Sequence, residues 1–419
     1  APVARLTRNG AVSERYDAII GGGGPTGLAM ALALAHQFGG DARIALVDPS
    51  TGAPSTANDP RAWALAAAST HMLQALGVWS DVAPHAQPVT EIEITDSPLQ
   101  AGIRPVLLHY DNQTDAGMPA AHIVPNQALL DALRAAVERL GARVTRCLTG
   151  RAINTFETLP SGISATLDDG QKLVADLLIA ADGRNSQLRD AAGIKCLSWP
   201  YRQLGIVTTV AHERPHNGKA VQHFLPGGPF AILPLPGNRS CITWSEDADA
   251  ARRIMSLGDA DFLAELQRRF GGKLGLLELA GPRASFPLGM QLARSFIAPR
   301  LALIGDAAHS VHPIAGQGLN LALRDIAALS ECIGDGAGAG LSCGDLTVLE
   351  RYQAWRRFDA TLSAGTFDAI NRLFSNDVAL LRSAREVGLG LVDRSAALKR
   401  FFVNEAAGLT GDVPRLMRE

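Results

Sequence analysis

The sequence predicts an α/β fold: a parallel, nucleotide-binding sheet joined to a second, antiparallel sheet and a helical C-terminal region. Three observations predict it. A glycine-rich turn lies between two short apolar runs near the N-terminus, an apolar run near residue 180 ends in Asp-Gly, and a glycine- and histidine-rich turn fills 305–325. A chain of 419 residues can bury a large core and holds about two domains. With 47% hydrophobic and 19% charged residues and a formal charge of −2, it reads as an ordinary globular protein with no electrostatic footprint for nucleic acid. Its five widely spaced cysteines form no CxxC pair, which points away from a disulfide framework or a thiolate metal site and toward a reducing compartment. The N-terminal stretch lacks the apolar h-region of a secretory signal. No uninterrupted apolar run reaches the roughly 18 residues of a membrane span.

The first unit begins with YDAII at 16–20, a short apolar strand. Gly22, Gly24 and Gly27 then satisfy GxGxxG and lead into LAMALALAHQF, a helix. Such glycines permit a tight turn, close approach of a pyrophosphate and close packing of helix on strand. The apolar run at 43–47 reads as the next strand and delivers Asp48, an acid able to accept hydrogen bonds from both hydroxyls of an adenosine ribose. This Rossmann-like unit is not repeated. The glycine-rich GDGAGAG at 334–340 has no preceding strand and reads as a flexible linker between helices.

In the second unit, apolar residues at 177–181 form a strand that delivers Asp182 and Gly183, with Ser186 suited to cap the helix that follows. In the third, 301–304 forms a strand leading into GDAAHSVHPIAGQGLNLALRD at 305–325, with a helix from Leu319. Asp306 can hold a hydroxyl, the glycines allow close backbone approach, and the helix N-terminus carries partial positive charge. The loop therefore suits an electron-rich, polyhydroxylated ligand.

Together, GGGPTG at 22–27, AADGRNSQLR at 180–189 and the 305–325 stretch resemble the group A flavoprotein aromatic hydroxylases, in order and in spacing. The resemblance implies a p-hydroxybenzoate hydroxylase-like fold: an FAD-binding domain from 16–90, 122–196 and 281–330, a β-sheet substrate domain from 91–121 and 197–280, and a helical region at 331–419. HPIAGQGLNLALRD at 312–325 is similar to the signature of the ubiquinone-biosynthesis hydroxylases, with Ala322 where that signature has Gly, a small and helix-favouring change. DPRAWALAAASTHMLQALGVW (59–79), HIVPNQALLDAL (122–133), FLPGGPFAILPLPG (224–237) and FPLGMQLARSF (286–296) resemble the same group.

Carried over residue by residue, the resemblance places Arg61 and Gln127 near the FAD pyrophosphate and ribityl chain, and Asp306 on the ribityl hydroxyls. Asp182 belongs to the segment that serves both FAD and NAD(P)H. Pro313, Gly316, Gly318, Leu319 and Asn320 face the isoalloxazine, whose reduced N1–C2=O end the helix N-terminus would stabilise. It implies O2 and, as electron donor, NAD(P)H, with oxygen delivered from a C4a-hydroperoxide to the ring of a prenylated phenol in ubiquinone biosynthesis. It also implies a cytoplasmic enzyme working beside other ubiquinone-biosynthesis proteins, in peripheral contact with the inner face of the cytoplasmic membrane. A hydroxylase of a small soluble aromatic compound and a flavin-binding accessory subunit are the alternatives.

His309 and His312 are the candidate proton-transfer residues, although the flavin chemistry does not demand one and a loop histidine is more often structural. No carboxylate or cysteine lies beside them at metal-ligand spacing. Period-two stretches at 91–97, 205–213, 220–226, 231–236 and 240–246 predict an antiparallel sheet over the flavin. Phe224, Phe230, Leu233, Leu235 and Trp244 could together form an apolar pocket on it. Helical spacing of Leu349, Tyr352, Trp355 and Phe358 predicts a helix packed on the flavin domain. Leu398, Phe401 and Phe402, beside Lys399 and Arg400, offer a surface for a bilayer or a partner.

Overall fold

The structure is a computed structural model and describes residues 15–50, 59–96, 99, 106–312, 316–374 and 395–418. Its first sheet is built on β1 (Arg15–Gly21), β2 (Ile44–Asp48), β8 (Thr145–Thr149), β11 (Lys172–Ala180), β19 (Leu301–Leu303) and β18 (Ile297–Ala298), in the order β18-β19-β11-β1-β2-β8. From β19 to β8 these strands are parallel. Their near-continuous apolar runs suit burial on both faces. β10 (Gly162–Leu167) extends the sheet antiparallel to β11, and β9 (Ile153–Leu159) pairs antiparallel with β10. Helix α1 (Pro25–Phe38) is apolar along most of its length, and Gly27–Ala35 are all buried.

The second sheet runs β20-β17-β12-β15-β14-β13-β5-β6. Its strands are β5 (Glu91–Asp96), β6 (Val106–Asp111), β12 (Cys196–His212), β13 (Lys219–Leu225), β14 (Gly228–Leu235), β15 (Arg239–Asp247), β17 (Ala284–Ala293) and β20 (His309–Ser310), with β16 (Leu277–Leu279) beside β12. It is antiparallel as the alternation predicts, except that β13 and β5 pair in parallel. β17, grouped with the flavin segments on sequence, pairs along β12 and belongs to this sheet. A small third sheet, β3 (Ala62–Ala66), β7 (Ala121–Pro125) and β4 (Gln87–Pro88), packs where the two larger ones meet.

Strand alternation divides the proposed apolar pocket. Leu233 and Leu235 face the small sheet with Val207 and Cys241. Phe224 alternates onto that side, because its neighbour His223 stacks on Phe230 across the strands. Phe230 and Trp244 lie on the opposite face, packed under α6 (Ala248–Met255) and α7 (Asp259–Phe270) with Ile254, Phe262 and Leu266. They cannot line a pocket over the flavin.

Helix α8 (Gln317–Gly338) begins two residues earlier than its apolar spacing predicts and absorbs most of the GDGAGAG stretch expected to be a linker. A Cβ at Gly334 would collide with Gln37, and one at Gly336 with Val348, so the glycines permit close helix packing. Helix α9 (Leu346–Phe374) buries Leu349 and Tyr352, and the Tyr352 hydroxyl donates to the Leu303 carbonyl at 2.8 Å. Phe358 departs from the expected stripe and is 72% exposed. In α10 (Ala396–Ala406) the side chains of Leu398, Phe401 and Phe402 lie outside the described residues, while Lys399 Nζ donates to the His109 carbonyl. Among the described residues no helix is long and apolar enough to cross a membrane.

Candidate active site

The register of the parallel sheet assembles the predicted residues in one row. Gly21 pairs with Val47 on one side and Ala180 on the other, and Ala180 pairs with Leu303. Gly22 and Asp48 follow this row directly, Asp182 two residues beyond Ala180 and Asp306 three beyond Leu303, so all four emerge at the carboxyl edge. The chain departs from β1 in opposite directions here, the position where open α/β sheets bind ligands.

Gly22 has φ +119°, and a Cβ on it would strike the Ala181 carbonyl. A Cβ at Gly27 would strike the Gly22 carbonyl, whereas one at Gly24 would meet open space. Gly24 is the N-cap of α1 and supplies no side-chain cap, so the helix's first N–H groups and its positive dipole end point outward. Asp48 accepts from the Ser50 backbone and hydroxyl. Asp182 Oδ2 accepts from Leu188 N at 3.1 Å, while its buried Oδ1 has no partner. Ser186 caps α5 (Gln187–Ala191) as expected, its Oγ accepting from Arg189 N at 3.0 Å.

Asp306 is exposed, yet protein crowds its carboxyl closely enough to raise its pKa, against the lowering pull of His309, Arg184 and Arg61. An accessible carboxyl in crowded surroundings lies within a cleft. Arg61 is forked onto Asp59, with Nε 2.9 Å from either carboxylate oxygen, and sits 5.2 Å from the Phe286 ring centre. Asn126 completes this clamp, donating to Asp59 at 2.8 Å and accepting from Trp63 Nε1 at 2.7 Å. Gln127 donates to Asp131 one helical turn along α4 (Asn126–Leu140).

At the other end of the cleft, Gly316 takes φ +64° as the uncapped N-terminus of α8, packed against Ala64. A Cβ at Gly318 would meet open space. Pro313 lies outside the described residues. Leu319 is core, and Asn320 faces the protein rather than a ring. Asn320 Oδ1 accepts from Ala66 N and Ser69 Oγ, and its Nδ2 donates to the Ala64 carbonyl. An amide with every group engaged clamps α8 to β3 and leaves only the helix N–H groups to face a ligand.

The two histidines separate. His309 is engaged: its Nε2 lies 2.6 Å from Asp325 Oδ2, which also accepts Gly305 N at 3.0 Å, while Asp325 Oδ1 accepts Arg356 Nε at 2.9 Å. Asp325 and Arg356 are wholly buried. Burial alone would raise Asp325, but His309 and Arg356 hold its carboxyl below the usual range. His312 is also buried, yet neither ring nitrogen has a partner, and desolvation pushes its pKa down to about 4. The Asp325–Arg356 pair went unread in the sequence. Asp325 is one of several polar residues along α8, with nothing in the sequence to mark it as the buried one that meets Arg356.

Register also defines an open apolar floor. On β17, Phe286 and Met290 share a face with Gly205 and Trp199 of β12, two residues along from Leu197. Phe286, Trp199 and Leu197 are each about 40% exposed. Among the described residues the buried arginines, Arg189, Arg269 and Arg356, are already ion-paired with Asp190, Glu246 and Asp325.

An FAD fits these residues: an uncapped helix over an open glycine for pyrophosphate, acids at the strand ends for ribose and ribityl hydroxyls, and a second helix N-terminus for the flavin's anionic edge. The family model described as FAD binding domain matches residues 15–356. Ubiquinone hydroxylase UbiL of Rhodospirillum rubrum is 42% identical over all of this chain and 96% of its own. The 3-demethoxyubiquinol 3-hydroxylase of Escherichia coli is 33% identical, over 93% of this chain and 97% of its own. The crystal structure of p-nitrophenol 4-monooxygenase from Pseudomonas putida superposes with a TM-score of 0.79 at 17% identity, over 95% of this chain and 99% of that one, and so shares its fold. The chain belongs to the FAD-binding monooxygenase family, in its ubiquinone-hydroxylase branch.

Proposed function

We propose that this protein takes electrons from NAD(P)H and uses FAD and O2 to hydroxylate the ring of a polyprenylated phenol on the route to ubiquinone. The observation that carries the substrate reading is the floor of Leu197, Trp199 and Phe286, apolar and open beside the cleft. A small aromatic acid calls for a buried cation ready for its carboxylate, and the buried arginines among the described residues are already paired. Bound FAD supplies the redox chemistry that activates oxygen. The chain's own residues do the rest. Gly24 and α1 hold pyrophosphate, Asp48 and Asp306 hold hydroxyls, the α8 N-terminus steadies negative charge on the ring, and the apolar floor excludes water.

A prenylated phenol resides in a bilayer, so the protein works peripherally at the cytoplasmic membrane face, beside other ubiquinone-biosynthesis proteins. The test is NAD(P)H oxidation by the FAD-loaded protein with and without a prenylphenol, with mass spectrometry of the product. Stimulated oxidation and a gain of one oxygen atom are expected. Stimulation by a soluble aromatic acid instead favours the small-substrate alternative. No stimulation and no product, with partner proteins supplied, leaves an accessory subunit.

A further inference from the structure

Among the described residues of the 305–325 stretch, His312 is the one whose side-chain polar groups are all buried and all unpartnered: it is 1% exposed, with Nδ1 and Nε2 both without a hydrogen bond. Leaving such groups unsatisfied is costly, and native proteins retain them where a ligand or a function completes them. Three elements converge on this ring. His312 itself lies four residues before Gly316, the N-cap of α8. Tyr201 of β12 packs edge-on against it, ring centres 5.3 Å apart. Asp368 of α9 accepts a 2.9 Å hydrogen bond from the Tyr201 hydroxyl.

The backbone beneath Tyr201 is irregular. The β12–β17 register shifts between Pro200 and Leu204, and Arg202 takes φ +54°, unfavourable for a residue with a Cβ. Bulges of this kind re-aim side chains beside active sites. Two residues earlier on the same strand, Trp199 belongs to the open apolar floor. The imidazole thus stands where the flavin-side loop, the sheet above the cleft and the C-terminal helix meet.

We propose that His312 is the hydrogen-bonding partner of the substrate's ring hydroxyl, with Tyr201 and Asp368 as positioning residues that fix the imidazole plane. The proposal rests on the phenol reading above. A neutral imidazole has one acceptor nitrogen and one donor. The phenolic O–H donates to the acceptor, which draws its hydrogen from the ring oxygen and makes the ring a better nucleophile. His309, bound to Asp325, cannot substitute.

The test titrates the FAD-loaded protein with a prenylphenol and with the same prenylbenzene lacking the ring hydroxyl, read by perturbation of the flavin absorbance. Wild type is expected to prefer the phenol about tenfold, the worth of one well-made hydrogen bond. His312→Phe should bind both ligands within about twofold while retaining FAD, and His312→Gln should recover most of the preference. Tyr201→Phe keeps the ring contact but loses Asp368, and should give an intermediate preference and a lower yield of product per NAD(P)H. A preference that survives undiminished in His312→Phe overturns the proposal. His312→Leu carries the same comparison if the phenylalanine variant does not fold. Wild type binding neither ligand overturns the phenol reading and this proposal together.

Discussion

Asp325→Asn removes the charge that compensates a guanidinium with no access to water. Asp325 and Arg356 are both 0% exposed, and Arg356 Nη2 is already without a partner. After the change Arg356 retains only Asp359, a partly exposed carboxylate 2.7 Å from Nη1. Breaking one side of a buried ion pair costs about 3–5 kcal/mol. That shifts the folding equilibrium roughly 10²- to 10⁴-fold, against a typical total of about 5–15 kcal/mol. The assay is urea denaturation of wild type, Asp325→Asn, Arg356→Met and the double variant, followed by circular dichroism. The double variant should be more stable than Asp325→Asn alone, because the stranded charge is gone. The folded carboxyl is held below its unfolded pKa of about 3.9, so its contribution is complete at neutral pH. It is lost only as pH falls through the lower folded value, and that acid limb should vanish in Asp325→Asn. Single-variant losses that add in the double variant within about 0.5 kcal/mol would refute the coupling.

His312 gives the opposite pH window. Its folded pKa of about 4 lies below the unfolded value of about 6.5, so its stability contribution is complete above pH ~6.5 and is lost as pH falls toward 4. The difference in unfolding free energy between wild type and His312→Phe should change by about 3 kcal/mol over that interval; a constant difference refutes the burial argument. Gly24→Ala should leave the melting temperature in place and weaken FAD binding at least tenfold, whereas Gly27→Ala should lower both, because its methyl group meets the Gly22 carbonyl. Thermal melts paired with FAD fluorescence titrations separate the two. Asp306→Asn should weaken FAD binding about tenfold yet leave the apoprotein as stable or more so, because crowding already disfavours the charge; a destabilised apoprotein would contradict this.

Much of the cleft was legible because nucleotide binding imposes local grammar. A strand, a glycine turn and a strand-ending acid announce themselves within about 30 residues, and Gly22, Asp48, Asp182 and Asp306 do stand along one sheet edge. Side-chain partners were less legible. Asn320 belongs to a segment that resembles a flavin contact, but only the fold shows its amide occupied by Ala64, Ala66 and Ser69, some 250 residues earlier in the chain. Phe230 and Trp244 differ from Leu233 and Leu235 only by strand parity, and both faces of this sheet are covered, so hydrophobicity alone could not assign them. The glycines at 334–340 suggest flexibility until Gln37 and Val348 are seen against them. Tyr201 and Asp368 meet across 167 residues with no motif to announce it.

The strand order also has a consequence for biosynthesis. β1 precedes the other described strands of its sheet in the chain but occupies the middle of it, and its neighbour β11 ends at residue 180. On its far edge β11 pairs with β10 at Lys172–Ala175 and with β19 at Leu178–Ala180, and β19 ends at Leu303. A nascent chain shorter than about 300 residues therefore presents an apolar strand with an open hydrogen-bonding edge, the template on which chains aggregate. Such long-range pairing is also slow to form. Truncations before Leu303 should be insoluble rather than merely inactive, and the N-terminal half should not be expressible as a smaller flavin-binding module.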